Sequence, residues 1–534
     1  MKKNFSLYTL LFLCLLWVAC KNKAHKNEVI QDTTINPITS FNNLFLDSVQ
    51  LQQFISKHPE DSVYRDELFN FYKQRNYEYA WFDTSGIAEQ AGNFMNLLNT
   101  AILELNDSNL YNKKLSQLFS SYINDSTKHE KGSPLETELL LTAQFFKYAA
   151  KVYKGEDIDA AELGWFIPRK KVNVTALLDS VINTKGEQTE RYSPLSNQYK
   201  ELKSFLVKYN DIQKNNSWDS IAKPAKVYKL HDSSEAIAQI KKRLFLLGDM
   251  SEEDSSMRFD TSLLSAVKSY QKRMGLSPDG VIGSKMMDEL NYPISERIKQ
   301  ILINLERVRW MPPESDSNYI LVNIPEYKLH VFDSGHKQFD MNVIVGTAAN
   351  NTVIFTGNLK YIVFSPYWNV PQSIVEKEIL PSIKKDPDYL EKNDMEITSY
   401  TSNKEPVVRQ KPGPKNSLGN VKFLFPNNFN IYLHDTPNHD LFTASSRSFS
   451  HGCIRIADPT KMALYLLRDD TTWTPEKVDS CMHLEKEKWV TIKDPVRVFI
   501  GYFTAWVNAD GKLNFRKDIY GHDAAMADKL FVKR

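Results

Sequence analysis

The first half of the chain shows the hydrophobic spacing of helices. Amphipathic stretches run over residues 93–105 and 135–153, where apolar side chains return every three or four positions. The helical pattern extends over residues 43–225 and contains no motif that carries chemistry. It predicts a helical scaffold domain.

A shorter helical pattern over residues 229–292 predicts a compact three-helix unit. Two apolar faces are followed by a turn rich in glycine and proline, and then by a third helix. The first face is Ile237, Ile240, Leu244 and Leu247, and the second is Leu264, Val267, Tyr270 and Met274. The first helix is expected to end at Gly248.

After residue 304 the spacing changes to alternation, which predicts a mostly β domain over residues 304–505. The candidate strands are 319–324, 328–332, 339–345, 361–364, 421–425 and 430–434. Residues from about 372 to 412 are charged, partly helical and too long for a strand connection, so they are expected to form an inserted lid. Residues 511–534 are polar and predicted to be a C-terminal tail. The expected fold class is therefore multidomain α+β.

The first twenty residues have the pattern of an export signal. Lys2 and Lys3 precede an apolar run over residues 5–19, which is short for a membrane-spanning helix, and Cys20 follows. A signal cleaved before Cys20, a plain signal peptide and a membrane anchor are the alternatives, and each directs the rest of the chain across the inner membrane. Residues 21–42 are polar and without periodicity, so they are expected to be a flexible tether.

Composition limits the class of partner and the use of cysteine. The chain has 534 residues, enough for several cores, and its formal net charge of +2 predicts no strong attraction to nucleic acid or acidic membranes. Of the four cysteines, Cys14 and Cys20 belong to the predicted signal, which leaves Cys453 and Cys481. Two cysteines do not make a disulfide framework in a large exported protein. They could pair with each other, but a free thiol is expected at Cys453.

The candidate chemistry lies in one short segment, Phe449-Ser450-His451-Gly452-Cys453-Ile454-Arg455. A thiolate is a strong nucleophile near neutral pH, but it needs a base and an electropositive setting. His451 and the upstream His434 are the candidate bases. These residues predict a covalent acyl-transfer site. A structural cysteine, or a zinc site formed by His434, His451 and Cys453, remains an alternative.

Strand phasing places the reactive side chains on common faces. Period-2 alternation puts Tyr432 and His434 on one face of a strand, and it puts Cys453 and Arg455 on one face of another. A helix is then expected to begin at Asp458-Pro459. The four side chains can therefore converge on one surface.

The spacing resembles the signature of the L,D-transpeptidase (YkuD-type) catalytic domain, in which His434 is followed by fifteen residues and then by Ser450-His451-Gly452-Cys453. The longer context, including YWNVP and FSHGCIRIADP, is similar to the large, YcbB-like branch. That branch combines a helical scaffold, a peptidoglycan-binding domain and a lid inserted into the catalytic sheet. Residues 229–292 resemble the peptidoglycan-binding domain, and the N-terminus resembles a bacterial lipoprotein signal in which Cys20 is lipidated.

The resemblance implies roles for the candidate site residues. Cys453 would be the nucleophile and His434 the general base, with the imidazole oriented by the backbone carbonyl of Asp435. Tyr432, together with His451, Gly452 and the Cys453 amide, would shape the site that stabilises the tetrahedral oxyanion.

Three further residues are candidates for substrate binding. Arg455 stands where much of the family has asparagine, and its guanidinium could bind a substrate carboxylate through two hydrogen bonds. Trp368 and Asn369 are candidates for the lining of the cleft, although Trp368 is equally well interpreted as a core residue.

The implied reaction is cysteine acyl transfer between peptidoglycan stems, without a metal or cofactor. Cys453 would attack a tetrapeptide stem and release D-alanine, and the side-chain amine of a second stem would then form a 3→3 cross-link. The expected partners are donor and acceptor stems, the membrane through a lipid anchor in the periplasm, and wall-synthesis enzymes, but no nucleic acid. Carbapenem β-lactams are the expected inhibitors. An L,D-carboxypeptidase, transfer to an anchored protein and a non-catalytic cell-wall-binding lipoprotein are the alternatives.

Overall fold

The computed structural model describes residues 43–123, 133–156, 158–169, 172–185, 196–312 and 318–531. The predicted export signal, the lipidation site Cys20 and the predicted tether lie outside these ranges. Within them, no helix is both long and apolar enough to cross a membrane.

The chain divides into two compact units. The first comprises Met1–Thr100, Asp107–Ala150 and Asn173–Tyr192, and the second comprises Ala101–Asn106, Lys151–Val172 and Ser193–Arg534, each as far as it is described. The residues predicted as one scaffold domain, 43–225, are therefore shared between the two units.

The first unit is built mainly from helices, which confirms the helical character predicted for this region. Its elements are Ser48–Lys57 (α1), Arg65–Gln74 (α2), Phe82–Asp83 (β1), Gly86–Ile87 (β2), Glu89–Leu105 (α3, whose last turn belongs to the second unit), Lys113–Ile123 (α4), Pro134–Ala149 (α5) and Val174–Asn183 (α6). Glu138 is fully buried in α5 and accepts hydrogen bonds from the Tyr72 hydroxyl at 2.7 Å and from the Trp81 amide at 2.9 Å. Burial raises the pKa of Glu138 to about 7. This carboxyl group joins α5 to α2 and to the chain before β1, so its role is structural.

The second unit begins with helices that include the predicted three-helix arrangement. They are Asn197–Asn215 (α7), Glu235–Leu247 (α8), Thr261–Arg273 (α9), Ser284–Leu290 (α10) and Ile294–Trp310 (α11). The predicted apolar face of α8 is buried, and α8 ends where Gly248 adopts a left-handed conformation with φ of 86°. The prediction for α8 is confirmed.

These helices share one hydrophobic cluster with the β domain. At the junction Arg273 donates a hydrogen bond to the Leu513 carbonyl at 3.3 Å, and Arg516 donates to the Arg273 carbonyl at 2.8 Å. Helices α8, α9 and α10 therefore pack as part of the second unit and do not form an independent domain.

A nine-stranded sheet forms the frame of the β domain. Its strands are Tyr319–Asn323 (β3), Lys328–Asp333 (β4), His336–Gly346 (β5), Phe355–Phe364 (β6), Val421–Leu424 (β10), Leu433–His434 (β11), Ser448–Ser450 (β12), Ile454–Ile456 (β13) and Lys488–Gly501 (β14). The order is β12-β5-β13-β11-β10-β6-β14-β3-β4, and β4 also pairs with β5, so the sheet closes on itself. The multidomain α+β class is confirmed.

Strand β14 is absent from the sequence prediction although it is the partner of both β3 and β6. Its second half alternates as a strand should, with Val496, Val498 and Ile500 buried. The register shifts between Thr491 and Val496, around a charged pair followed by proline. That irregularity interrupts the period-2 pattern, so that in the sequence the one long strand has the pattern of two short fragments.

The predicted lid is a small subdomain with its own core. It contains Trp368–Asn369 (β7), Gln372–Ile374 (α12), the π-helical turn Val375–Ile379, Leu380–Lys385 (α13), Tyr389–Lys392 (α14), Met395–Tyr400 (β8) and Pro406–Gln410 (β9). The three strands pair in the order β7-β9-β8 around Val370, Val375, Ile379 and Val408. The insertion thus begins at β7, a few residues before the predicted boundary.

The residues predicted as a C-terminal tail are largely ordered into elements. After α15 (Pro459–Leu466) and α16 (Pro475–Met482), strands Ala505–Val507 (β15) and Leu513–Phe515 (β16) pair, and helix His522–Leu530 (α17) follows. The prediction of a tail is wrong because polar side chains here bond within the protein. The Thr504 hydroxyl, for example, donates to Asp523 at 2.6 Å.

Candidate functional site

Two short parallel strands bring the predicted residues together. Strand β11 pairs with β13 in a register that sets His434 beside Arg455, and the Ile454 amide donates to the Tyr432 carbonyl at 3.1 Å. Leu433 and Ile454 are fully buried on the opposite face. Since side chains alternate along each strand, Tyr432, His434 and Arg455 are directed to the side of the sheet from which Cys453 projects.

The strand predicted over residues 430–434 is shorter in the structure. Asn430 has a left-handed backbone with φ of 54°, so pairing starts only at Leu433. The Asn427 side chain holds this bend by donating to the Ile431 carbonyl at 2.8 Å and by accepting from the Phe429 amide at 2.9 Å. The bend places the Asn430 carbonyl 3.6 Å from Cys453 Sγ.

The turn that carries the cysteine is fixed by its own hydrogen bonds. The Ser450 hydroxyl accepts from the Gly452 amide at 3.1 Å and donates to the Cys453 carbonyl at 2.5 Å. Gly452 has φ of 112°, which a residue with a side chain rarely adopts. A Cβ at Gly452 would meet nothing closer than 3.7 Å, so the backbone angle and not a lack of space calls for glycine.

His434 is buried, and one ring nitrogen is already engaged. Its Nδ1 lies 2.5 Å from the Asp435 carbonyl oxygen, and the side chain is 5% exposed. The Asp435 carboxylate is used elsewhere, since it accepts from the Asn420 amide at 2.8 Å. Because a carbonyl only accepts, Nδ1 carries the proton and Nε2 is left as the basic nitrogen. This is the contact expected from the resemblance, while the catalytic role itself stays a prediction.

Electrostatics keep the His434 ring neutral. Burial, together with the nearby positive charge of Arg455, lowers the pKa of His434 to about 3. At neutral pH the ring is therefore uncharged, and the lone pair is on Nε2.

The Cys453 thiol is held in its protonated form. Burial raises its pKa, and this is only partly opposed by hydrogen bonds from Tyr432 and by the charge of Arg455. Among the described residues, the hydrogen-bond partner of Sγ is the Asn430 carbonyl oxygen and not the His434 ring. In enzymes that use a general base, the hydrogen bond between the base and the nucleophile is often long before the substrate binds.

Tyr432 and Arg455 are neighbours of this pair. The Tyr432 and His434 rings are 5.7 Å apart between centroids, and burial raises the pKa of Tyr432, so its hydroxyl remains a donor. Arg455 is half-buried, and its Nε finds no hydrogen-bond partner within the described ranges. A buried guanidinium donor without an acceptor favours a ligand that supplies one.

The lid contacts the turn before Cys453 through His451. This side chain is exposed, and its Nε2 lies 3.0 Å from a carboxylate oxygen of Glu378 in the π-helical turn. Trp368 packs against the lid core, in agreement with the core alternative, while Asn369 is exposed on β7. Both residues therefore belong to the lid, and their part in lining the cleft stays a prediction.

The alternative uses of the cysteines find no support in the geometry. Cys453 and Cys481 are both free. Among the described residues, the only side chains that bring three ligand atoms within 4.8 Å of one another are His58, Glu60 and Asp61 in the first unit. The zinc set of His434, His451 and Cys453 is not assembled.

One supporting residue is missed by the sequence prediction. Thr352 is 1% exposed, and its hydroxyl donates to the Gly452 carbonyl at 2.9 Å. A single threonine in a loop carries no sequence signal for this role, because the contact spans 100 residues of chain.

Comparison with known proteins identifies three domain families. Residues 317–498 match the family described as "L,D-transpeptidase catalytic domain" (YkuD), residues 66–206 match "Scaffold domain", and residues 233–290 match "Putative peptidoglycan binding domain". The chain is 33% identical over 240 residues to a "Putative L,D-transpeptidase" of Haemophilus influenzae, which covers 42% of this chain. The chain spans about half the length of that relative, 48%.

The solved structures returned by the comparison include L,D-transpeptidases, all of low sequence identity and low TM-score. The L,D-transpeptidase of Xylanimonas cellulosilytica (residues 123–326) is 13% identical, with a TM-score of 0.17, over 52% of this chain and 100% of the other. The L,D-transpeptidase of Stackebrandtia nassauensis is 15% identical, with a TM-score of 0.21, over 53% of this chain and 98% of the other.

Proposed function

Because this chain carries an L,D-transpeptidase catalytic domain of the YkuD type with a scaffold domain and a peptidoglycan-binding domain, we propose that it forms 3→3 cross-links in peptidoglycan by cysteine acyl transfer. One observation carries the proposal. A neutral, buried His434 with Nδ1 bonded to the Asp435 carbonyl lies on the strand next to the one that Cys453 precedes. Their placement at neighbouring strands supports a pairing of His434 as base with Cys453 as nucleophile.

The first half-reaction forms a thioester. His434 Nε2 takes the thiol proton as Cys453 Sγ attacks the carbonyl carbon between the diamino acid and the terminal D-alanine of a tetrapeptide stem. The carbonyl oxygen becomes an oxyanion, which receives hydrogen bonds at the turn around Gly452. When the C–N bond breaks, the proton on His434 passes to the departing amine, and D-alanine leaves.

The second half-reaction consumes the thioester. The side-chain amine of another stem gives a proton to His434 and attacks the thioester carbonyl. The C–S bond breaks, and Cys453 regains its proton from the imidazolium. The product is an amide between two diamino acids, and the enzyme returns to its starting protonation state.

The lowered pKa of His434 predicts that acylation continues at a lower pH than an ordinary histidine base would allow. An ordinary histidine with a pKa of ~6.5 is about 90% protonated at pH 5.5. A base with a pKa of about 3 stays unprotonated there. We therefore expect the rate of Cys453 acylation by a carbapenem to stay within about twofold between pH 7 and pH 5.5. Stopped-flow acylation, with circular dichroism to confirm the folded state, would measure this. A fall of about tenfold would contradict the lowered pKa.

We further propose that Arg455 binds a carboxylate of the donor stem through its planar fork. Arg455→Lys keeps the charge but loses the fork, so KM for a tetrapeptide donor should rise about tenfold with little change in kcat. Arg468→Lys is the matched control, because Arg468 already has a partner in Asp333 at 2.9 Å. A fall in kcat at constant KM would instead assign Arg455 to the thiol and the imidazole.

The experiment that tests the function is mass spectrometry of muropeptides after the protein has been incubated with tetrapeptide-rich sacculi. New 3→3 dimers and free D-alanine are the expected products. Tripeptides without dimers would mean that water resolves the thioester, which is the carboxypeptidase alternative. Unchanged muropeptides would reject both activities and favour transfer to a protein or a wall-binding role.

The place of action is proposed from the N-terminal sequence. The basic start, the apolar run and Cys20 support export to the periplasm and lipid anchoring, which would bring the catalytic domain to peptidoglycan and to wall-synthesis enzymes. Incorporation of labelled palmitate into the wild type but not into Cys20→Ser would support the anchor, and equal labelling would reject it.

A further inference from the structure

The C-terminal segment contacts the loop that supports the catalytic turn. The Tyr520 hydroxyl donates to the Gly346 carbonyl at 2.6 Å and accepts from the Thr352 amide at 3.4 Å. Gly346 ends β5, and Thr352 lies in the loop that leads to β6. Tyr520 lies beyond residues 317–498, the part of the chain that matches the catalytic family. One phenol therefore bridges both sides of this loop from outside the recognised domain.

The same loop holds the peptide group next to the nucleophile. Thr352 Oγ1 accepts from the Gly346 amide at 2.9 Å and donates to the Gly452 carbonyl at 2.9 Å. The loop is closed tightly, since a Cβ on Gly346 would lie 2.0 Å from the Asn350 carbonyl oxygen. A movement at Gly346 or Thr352 would therefore be passed on to Gly452.

Fixing the Gly452 carbonyl also fixes the Cys453 amide. Both belong to one planar peptide group, in which the C=O and the N–H point in opposite directions. The hydrogen bond from Thr352 thus sets the direction of the Cys453 N–H, the donor proposed for the oxyanion. Donors of this kind stabilise the oxyanion because they are already oriented towards it before the reaction starts.

Tyr520 is itself held in place and kept protonated. Its amide donates to the Tyr502 hydroxyl at 2.9 Å, and that hydroxyl donates to Asp518 at 2.6 Å. The second Asp518 oxygen accepts from the Asp523 amide at 2.8 Å, at the start of α17. Burial raises the pKa of Tyr520 to about 12, so the hydroxyl remains a donor near neutral pH.

We infer that Tyr520 is a positioning residue of the active centre, which acts through Gly346 and Thr352 to orient the peptide group between Gly452 and Cys453 towards the oxyanion. The inference rests on the proposed acyl transfer and extends the catalytic unit to the C-terminal segment.

The test compares Tyr520→Phe with Tyr199→Phe in the full chain. Tyr199 is 1% exposed, and its hydroxyl has no hydrogen-bond partner among the described residues, so this control removes the same atom without removing a bond. Hydrogen exchange of peptides covering residues 450–453 reports on the turn without requiring activity. Acylation by a carbapenem reports on the oxyanion site, and alkylation by iodoacetamide reports on the thiol alone.

Tyr520→Phe is expected to speed exchange in the turn and to slow acylation, each by about tenfold. Alkylation and the melting temperature should stay close to the wild type, because the thiol does not contact Tyr520. Thr352→Val should slow acylation by a similar factor, and Thr352→Ser should restore it. The double variant Tyr520→Phe/Thr352→Val should be no slower than either single variant, since both break one chain of contacts.

Unchanged exchange and acylation in Tyr520→Phe would overturn the inference. So would an equal loss in Tyr199→Phe, or an equal loss of alkylation and acylation, because either would assign the effect to the fold or to the thiol. If the wild type itself is not acylated, the proposed function fails, and faster exchange in Tyr520→Phe alone would still support the positioning of the turn.

Discussion

Replacement of Cys453 by alanine is expected to abolish both D-alanine release and cross-link formation, with a loss of more than about 10⁴-fold. The side chain proposed to form the thioester is then missing, and the other nucleophilic side chain of the turn, Ser450, is already engaged in two hydrogen bonds. The fold should tolerate the change, because Cys453 is half-buried at the surface of the sheet and Gly452 and Ser450 keep the turn. Binding to sacculi should therefore remain at the level of the wild type.

Two measurements would establish this result. Intact mass after treatment with a carbapenem should show an adduct on the wild type and none on Cys453→Ala. Cys481→Ala is the matched control, because Cys481 is the other free thiol in the described chain and is buried on α16. Retained D-alanine release in Cys453→Ala, or loss of the adduct in Cys481→Ala alone, would sink the assignment of the nucleophile.

Replacement of His434 by alanine is expected to slow acylation by about 10²–10⁴-fold. The thiol has a raised pKa, so without a base it is mostly protonated and a poor nucleophile. His434 offers the only imidazole whose Nδ1 is fixed by a carbonyl at the sheet surface next to Cys453 in the described structure. The rate of acylation of His434→Ala should recover part of the loss as the pH is raised, once the thiol begins to ionise without a base.

His451→Ala separates the two candidate bases. The His451 ring is exposed and paired with Glu378 of the lid, so its loss should cost at least about tenfold less than the loss of His434. The reverse order would make His451 the base. Melting temperatures of both variants are needed, because removal of the buried His434 ring leaves a cavity.

Much of the frame could be predicted from the sequence, as could the strands that carry or adjoin the proposed reactive pair. Helix α8 follows an apolar face that ends at a glycine, and strands such as β4 and β10 alternate with a period of two. The phasing of Arg455 is likewise a local property: it lies on β13 between the buried Ile454 and Ile456, while Cys453, predicted on the same strand, directly precedes it. Local burial patterns of this kind depend on neighbours within a few residues.

The failures have a common physical cause. Strand β14 was hidden because Pro495 and its charged neighbours interrupt its period, and β11 was predicted too long because the Asn427 side chain replaces backbone pairing around Asn430. The C-terminal residues seemed featureless because their polar groups bond to distant partners. In each case a single contact or one irregular residue changes the regular pattern of pairing, and such a change produces no periodic signal in the sequence.

The sequence by itself determined the helical and β regions, the lid and the residues proposed to react, because periodicity and residue chemistry are local. Only the tertiary structure decided what surrounds those residues. The parallel register of β11 and β13 sets His434 beside Arg455, and the lid meets His451 through Glu378. Tyr520 reaches Gly346 across 174 residues of chain. Hydrophobic periodicity indicates that a side chain is buried. The residue it is buried against depends on how the sheet closes and on which elements pack on it.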